Sequence, residues 1–261
     1  SMNRIQELFV KTKEKKIPAF IAYATAGDPD YNSSVQIISS IIDAGADIME
    51  LGIPFSDPLA DGEANQLAAE RAIKNGMTAL KALELACEIR KKHPITPLVL
   101  FTYINPVAYS AKMSFKEFCE KAVESGVDAI LPLDLPYDEK KPFKIISESG
   151  LGLVTLIAPN TKEERIKYVA RKASSFVYYV SREGVTGESN SFTANFAEKI
   201  SKIKKFTKLP VVVGFGISTQ EHVRATAETG VDGIVVGSAI VRKIEAFNNR
   251  TISVSEISKF V

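Results

Sequence analysis

Four stretches that repeat one pattern decide the fold: AGADIMEL (44–51), SGVDAILPL (125–133), SGLGLVTL (149–156) and TGVDGIVVG (229–237). Each reads as the end of a helix, a glycine, a short turn and an apolar strand. Glycine is the preferred residue for the left-handed conformation that ends many helices. The four stretches therefore predict helix-to-strand junctions in a chain where the two kinds of element alternate.

Working outward from these junctions, eight apolar runs rich in β-branched and aromatic residues are found. They lie at 19–24, 47–51, 98–103, 128–133, 152–157, 176–180, 211–215 and 233–236. Runs of this kind are typical of buried parallel strands. Helical patterns separate them at 35–44, 64–92, 115–125, 141–149, 163–172, 195–206, 219–229 and 238–247. A short amphipathic helix that ends near Lys16 precedes the first run.

Eight units in 261 residues give about 33 residues each, the size of one βαβ step. No linker rich in Gly, Ser or Pro divides the chain. We therefore predict an α/β protein with one domain over residues 1–261, a single (β/α)8 TIM barrel with an extra N-terminal helix. Ser1 before Met2 is read as a cloning remnant. The alternative is an open, doubly wound sheet; the barrel is favoured because no strand has the polar character of a sheet edge.

Composition excludes several classes of protein. Hydrophobic residues make up 45%, charged residues 25%, and the formal net charge is +2, as in ordinary globular proteins. The near-neutral charge argues against nucleic acid or an anionic membrane as a partner. Cys87 and Cys119 form no CxxC motif, and His93 and His222 are predicted to be surface residues, so no metal site is expected. Without an apolar signal core or a membrane-length run, a cytoplasmic protein is predicted.

Glu50 is the first candidate for chemistry, because it interrupts an apolar strand one residue before that strand ends. In a barrel of this kind the active site lies where the strands end. Burial would raise the pKa of the carboxyl toward neutrality, which suits a group that gives and takes a proton. The alternative is that strand alternation turns Glu50 outward to an exposed edge or a salt bridge.

The long loop after this strand carries Asp57 and Asp61. Asp57, before Pro58, is interpreted as a turn residue. Asp61 could also be a turn residue, but the loop is longer than a connector needs and could bring Asp61 opposite Glu50. Two carboxyl groups in different environments can divide an acid–base task.

Glycines follow three successive strands at the same predicted end of the barrel. Converging backbone N–H groups near a helix N-terminus bind phosphate without any Lys or Arg. Ser218 and Ser238 also stand where an N-cap is expected. The candidate phosphate-binding residues are Gly187, Gly214, Gly216, Gly237 and Ser238.

Apolar strand residues near the same end could line a pocket for an apolar substrate, although most such residues simply form the core. The polar loop 181–191, which contains Thr186, is either a hinged lid or a flexible surface loop. The strand candidates are Tyr23, Phe101, Tyr103, Leu131 and Tyr178.

At these residues the sequence resembles the tryptophan synthase α subunit family over nearly its whole length. The most specific motif is ELGIPFSDPLADG at 50–62. TAGDP at 25–29, SREGVTG at 181–187, GFGIS at 214–218 and GSAIV at 237–241 support it. Three positions depart from the usual pattern: Glu63 and Leu133 stand where Pro is common, and Tyr23 stands where Phe is frequent.

The resemblance implies a lyase that cleaves indole-3-glycerol phosphate to indole and glyceraldehyde 3-phosphate in tryptophan biosynthesis. It implies a separate β subunit that carries pyridoxal phosphate, in an α2β2 complex, with neither cofactor nor metal in this chain. Glu50 matches the acid–base glutamate, Asp61 the aspartate that binds the indole nitrogen, and Tyr178 the active-site tyrosine. The remaining matches are the loop threonine Thr186 and the phosphate contacts Gly187, Gly216, Gly237 and Ser238.

Three alternatives remain at this point. The chain could be a free-standing lyase that releases indole, or a barrel that acts mainly as an allosteric activator of a β subunit. It could also be another phosphate-binding barrel, such as a phosphosugar isomerase or an aldolase. A Schiff-base aldolase needs a buried strand lysine, and none of the eight predicted strands carries one.

Overall fold

The fold is described from a computed structural model of the chain. The structure describes residues 1–55, 62–104, 112–180, 189–214 and 220–261, without the side chains of residues 189–195, 220 and 222.

Eight parallel strands close into a barrel in the order of the sequence, and the last strand pairs with the first. This confirms the predicted (β/α)8 barrel and excludes the open sheet. The strands are β1 Ala19–Thr25, β2 Ile48–Gly52, β3 Leu98–Thr102, β4 Ala129–Pro132, β5 Gly152–Ile157, β6 Phe176–Val180, β7 Val211–Gly214 and β8 Gly233–Val236.

Helices surround the strands and precede the first of them. Within the described ranges they are α1 Arg4–Lys15, α2 Tyr31–Asp43, α3 Glu63–Lys74, α4 Ala79–Lys92, α5 Phe115–Glu124, α6 Lys140–Ser149, α7 Glu163–Lys172, α8 Ser189–Lys204, α9 Gln220–Ala227, α10 Ser238–Asn248 and α11 Val254–Phe260.

Local sequence explains where these helices begin and end. Asn3 and Ser114 each form a capping box with the side chain three residues later, which satisfies backbone donors at the starts of α1 and α5. The glycine in each of the four repeated junctions has a positive φ, between 84° and 126°. The junctions that predicted the fold are therefore left-handed helix ends.

Two predictions about the helices are wrong. Residues 64–92 do not form one helix, because α3 ends at Lys74 and Gly76 follows with a φ of +86°. Short side chains of high helix propensity on both sides of the break hid it from the periodicity. The sequence reading also missed α11, and it began α8 six residues too late.

Buried side chains form two layers. The inner layer fills the barrel and includes Ile21, Ile48, Val99, Val154 and Val212. The outer layer lies between the strands and the helices. It contains the isoleucine side chains of α2 and most of the leucine side chains of α4. Alternate residues of each strand therefore face inward, as the closed barrel requires.

The N-terminal ends of the strands are closed by α1. The ring of Phe9 on α1 meets Phe176 edge-on, with 5.9 Å between ring centroids. At the same end Asp128 accepts hydrogen bonds from Arg4, Arg90 and the backbone N–H of Leu98. These contacts join α1 and the strand ends and stabilise this end of the barrel.

Other features can be checked against the sequence reading. His93 is not a surface residue as predicted: its side chain is 11% exposed and its Nε2 lies 2.7 Å from Ser39 Oγ. Both cysteines are free. Within the part of the chain that the structure describes, no cluster of potential metal ligands occurs, and no helix is long and apolar enough to cross a membrane.

Candidate active site

Glu50 faces the interior of the barrel near the C-terminal end of β2. Ile48, two residues earlier on the same face, belongs to the inner layer. Tyr23 of β1 and Val99 of β3 are its partners in register on either side. The outward orientation considered from the sequence is therefore wrong.

The carboxyl of Glu50 is fully buried, and neither of its oxygens has a hydrogen-bond partner among the described residues. Burial raises the pKa of this carboxyl to about 8, because a low dielectric disfavours the charged form. A buried, unpartnered carboxyl is costly for stability and is found most often where chemistry requires it. The structure therefore marks Glu50 as the leading candidate for proton transfer.

Tyr178 of β6 lies near Glu50 inside the barrel. Its side chain is 8% exposed, and its pKa is raised well above 10, first by burial and then by the negative charge of Glu50. The phenol is therefore neutral at physiological pH and keeps its proton. A Cβ on Gly214 of β7 would collide with the hydroxyl of Tyr178, so Gly214 is required by the packing of this tyrosine.

The mouth of the barrel is lined by aromatic side chains. The rings of Tyr23 and Phe101 meet edge-on at 5.4 Å between centroids, and Tyr23 is 7% exposed. Leu131 is fully buried in the same inner layer. Tyr103 lies just past the end of β3 and contacts the ring of Phe55 at 5.4 Å. The structure thus brings the four predicted pocket residues to one end of the barrel.

The N-terminus of α10 opens at this end, directly after β8. Gly237 is its N-cap, and no side chain caps the helix. The prediction that Ser238 would be the N-cap is wrong by one position, since Ser238 is the first helical residue. A Cβ on Gly237 would make only ordinary contact, 3.6 Å from Tyr23 Cβ, so packing within this part of the chain does not require a glycine there. Uncapped amide groups at a helix N-terminus suit a phosphate.

Six residues singled out from the sequence lie outside the described residues: Asp57, Asp61, Thr186, Gly187, Gly216 and Ser218. The described elements that flank them, β2 with α3, β6 with α8, and β7 with α9, all meet at the C-terminal end of the barrel.

Sequence reasoning missed an ion-pair cluster close to the site. Asp28, in the loop after β1, is fully buried and accepts two hydrogen bonds from Arg71 on α3. Arg71 also pairs with Glu245 on α10. The TAGDP motif pointed to Asp28, but no spacing rule links it to a residue 43 positions later.

Fold and candidate site together describe a (β/α)8 barrel that holds a fully buried carboxyl, unpaired among the described residues, and an uncapped helix N-terminus after β8. The sequence profile of the tryptophan synthase alpha chain matches residues 9–260. The tryptophan synthase alpha chain of Opitutus terrae is 44% identical over 93% of this chain and 90% of its own length. That of Geotalea daltonii is 43% identical over 96% and 94%.

Solved structures agree with these relatives. Tryptophan synthase subunit alpha from Legionella pneumophila superposes with a TM-score of 0.88 at 32% identity, covering 99% of this chain and 95% of that chain. A chain from the tryptophan synthase α2β2 complex of Pyrococcus furiosus gives 0.82 at 38% identity, covering 93% and 95%. The chain belongs to the tryptophan synthase alpha chain family, lyases whose reaction is the cleavage of indole-3-glycerol phosphate.

Proposed function

We propose that this chain performs the lyase reaction of its family with Glu50 as the group that moves the proton. The observation that carries the proposal is the fully buried, unpartnered carboxyl of Glu50 at the end of β2. A pKa of about 8 keeps this carboxyl protonated at neutral pH, as a general acid must be.

The reaction breaks the bond between C3 of the indole ring and the first glycerol carbon. Glu50 donates its proton to C3, which gives an indoleninium whose positive charge reaches the ring nitrogen. The carboxylate then takes the proton of the hydroxyl on the first glycerol carbon. As that carbon becomes the aldehyde, the electron pair of the broken bond returns to the ring. One proton is given and one is taken, so Glu50 ends as it began.

Two further groups belong to this step. The charge that develops on the indole nitrogen needs a negative partner, and the family resemblance assigns that role to Asp61. The neutral phenol of Tyr178 lies near Glu50 and presents a hydroxyl that does not ionise at working pH. We assign Tyr178 to the catalytic group as a donor to the reacting hydroxyl of the substrate.

Substrate binding uses the two sides of the same barrel mouth. Tyr23, Phe101, Tyr103 and Leu131 offer an aromatic and apolar surface for the indole ring. The uncapped amide groups at Gly237 and Ser238 suit the phosphate. The resemblance adds Gly187, Gly216 and Thr186 to this end. Gly214 is a phosphate candidate from the glycine pattern alone, and the packing of Tyr178 gives a separate reason for it.

A β subunit is the expected partner, in an α2β2 assembly where the partner carries pyridoxal phosphate and this chain carries no cofactor. The Pyrococcus furiosus relative belongs to a tryptophan synthase α2β2 complex, which supports the expected partner. Free release of indole would waste an apolar product, whereas a partner can consume it directly. A cytoplasmic location is part of the same proposal, supported by the biosynthetic role of the family.

Steady-state cleavage of indole-3-glycerol phosphate, with and without a β subunit, tests this function. We expect slow indole release by the chain alone, strongly accelerated by β, and loss of both in Glu50→Gln. Thr155→Val is the matched control, because Thr155 is also a fully buried, unpartnered strand residue but lies one position from the inward-facing Val154. Cleavage that survives in Glu50→Gln would contradict the assignment. Acceleration of β by a chain that never cleaves substrate would favour the activator alternative, and cleavage indifferent to β would favour the free-standing lyase.

A further inference from the structure

Arg71 makes a bidentate contact with a buried carboxylate. Its Nε donates to Asp28 Oδ1 at 2.8 Å and its Nη2 to Asp28 Oδ2 at 3.0 Å. Asp28 is fully buried, and the Arg71 side chain is 15% exposed. Bidentate pairs of this kind fix both distance and orientation. The contact therefore holds α3 rigidly against the loop that follows β1.

The third nitrogen of the same guanidinium reaches a different helix. Arg71 Nη1 donates to Glu245 Oε2 at 3.2 Å, on α10. Glu245 lies two turns after Ser238, on the helix whose N-terminus we assign to the phosphate. One side chain thus joins α3, α10 and the β1 loop.

The β1 loop continues this connection to the strand that carries Glu50. The N–H of Ala26 donates to the carbonyl of Gly52 at 2.8 Å, two residues beyond Glu50 on β2. Asn75, just past the end of α3, donates through Nδ2 to the carbonyl of Pro29 at 2.6 Å and closes the loop from the other side. The path from the phosphate helix to the acid strand therefore runs through short, buried or half-buried polar contacts.

The comparable arginine at the opposite end of the barrel has other partners. Arg90 donates to the backbone carbonyls of Gly126, His93 and Thr96 as well as to Asp128. Those contacts tie loops to one another far from the strand ends where the site lies. The hydrogen bonds of Arg71 described above go instead to two carboxylates on separate elements, the loop after β1 and α10. That difference points to coupling rather than to stability alone.

We propose that Arg71, held between Asp28 and Glu245, is a positioning residue that couples the phosphate end of α10 to the strand end bearing Glu50. The proposal rests on the proposed function, because it takes the start of α10 as the phosphate site. An anion bound there attracts the N-terminal amide groups of α10 and shifts this helix. The contacts from Glu245 through Arg71 and Asp28 transmit the shift to β2. Such coupling is reciprocal, so a ligand on the indole side must strengthen phosphate binding by the same factor.

Calorimetric titration of the full chain with inorganic phosphate, with and without saturating indole, measures this coupling. In the unchanged chain we expect indole to tighten phosphate binding about fivefold or more, the usual range for coupled sites. Glu245→Gln keeps the shape of the side chain and removes its charge. We expect it to bring the factor close to one while leaving phosphate affinity in the absence of indole within about twofold. Arg71→Lys should do the same, since lysine cannot make the bidentate contact.

Steady-state cleavage by the same variants gives a second readout. The substrate carries the indole ring and the phosphate in one molecule, so it still binds both sides of the site in Glu245→Gln, and KM should change less than about twofold. Loss of the coupling should lower kcat about tenfold. If Glu245 served stability alone, kcat and KM of the variant would both match those of the unchanged chain at a temperature where the variant is folded.

Two controls match these changes. Arg90→Lys alters an arginine–carboxylate pair of similar burial at the far end of the barrel. Glu163→Gln removes an exposed ion pair with Lys202. Both should keep the indole–phosphate coupling and kcat.

The outcomes separate the two proposals. Phosphate binding whose coupling to indole persists in Glu245→Gln and Arg71→Lys would overturn the role of Arg71 and leave the proposed function standing. Absence of coupling in the unchanged chain, with cleavage intact, would do the same. If the chain binds no phosphate and cleaves no substrate, both proposals fail. Should Arg71→Lys not fold, Glu245→Gln decides, because Glu245 is 40% exposed and its loss does not unpair the buried Asp28.

Discussion

Two buried carboxyl groups at opposite ends of the barrel, those of Asp128 and Glu50, have opposite surroundings. At the N-terminal end, Asp128 accepts hydrogen bonds from two arginines and a backbone N–H, at 2.8 to 3.0 Å. At the C-terminal end, Glu50 is more deeply buried and neither of its oxygens is paired within the described ranges. The first arrangement stabilises the fold; the second costs stability and leaves a proton free to move. The paired Asp128 thus contributes to stability, whereas the unpaired Glu50 at the catalytic face gives up stability for reactivity.

The largest effect should come from the unpaired carboxyl. Glu50→Gln keeps the size of the side chain but cannot donate and accept the catalytic proton. Cleavage of indole-3-glycerol phosphate should fall by about 10²- to 10⁴-fold, the usual contribution of general acid–base catalysis. Single-turnover rates with enzyme in excess check this; a loss below tenfold would contradict the role of Glu50.

The paired carboxyl should give the reverse result. Asp128→Ala leaves Arg90 without its charged partner, and breaking such a buried pair costs about 3 to 5 kcal/mol. Urea unfolding should show this loss of unfolding free energy, while kcat and KM at a temperature below the transition stay close to the unchanged chain. A selective loss of kcat in a well-folded Asp128→Ala variant would contradict the purely stabilising role of Asp128.

The unpaired carboxyl should also make stability depend on pH. The pKa of Glu50 is raised from 4.5 to about 8 on folding, so the unfolded chain loses this proton first. Between these two values the folded state binds the extra proton, and stability falls as pH rises, by about 1.4 kcal/mol per unit. Above pH 8 the loss levels off at about 5 kcal/mol as an upper limit.

Comparison with Glu50→Gln isolates this contribution. The variant should match the unchanged chain near pH 4 and become more stable than it at pH 8 to 9. Equal unfolding free energies for the two proteins at both pH values would show that Glu50 has an ordinary pKa.

The smallest predicted effect compares two glycines of the catalytic face. Gly214→Ala should displace Tyr178, because the added Cβ collides with its hydroxyl. Gly237→Ala meets only ordinary contacts in the described structure, so its unfolding free energy should change by less than about 1 kcal/mol. Its cost should appear instead in phosphate binding, as a KM about tenfold higher. An unchanged KM would remove Gly237 from the phosphate site.

Much of this arrangement can be predicted from the sequence, for identifiable physical reasons. Each of the four repeated junctions is local, so glycine and strand pattern report the same turn and predict the barrel. Glu50 stands out because one charged residue in an apolar strand is conspicuous. What escapes prediction depends on closure of the barrel: Arg71 meets Asp28 across 43 residues and Glu245 across 174. The side of the strand on which Glu50 lies, and the reason for Gly214, are also decided only by packing against neighbouring strands.

Direct titration of the Glu50 carboxyl tests the central claim most sharply. Carbon-13 NMR of the chain labelled at the glutamate side-chain carboxyl, with Glu50→Gln to assign the signal, gives its pKa. The account predicts one carboxyl that titrates near pH 8 and is missing from the variant. A Glu50 signal that titrates near 4.5 would mean that the carboxyl is paired or solvated, and the proposed proton transfer would lose its physical basis.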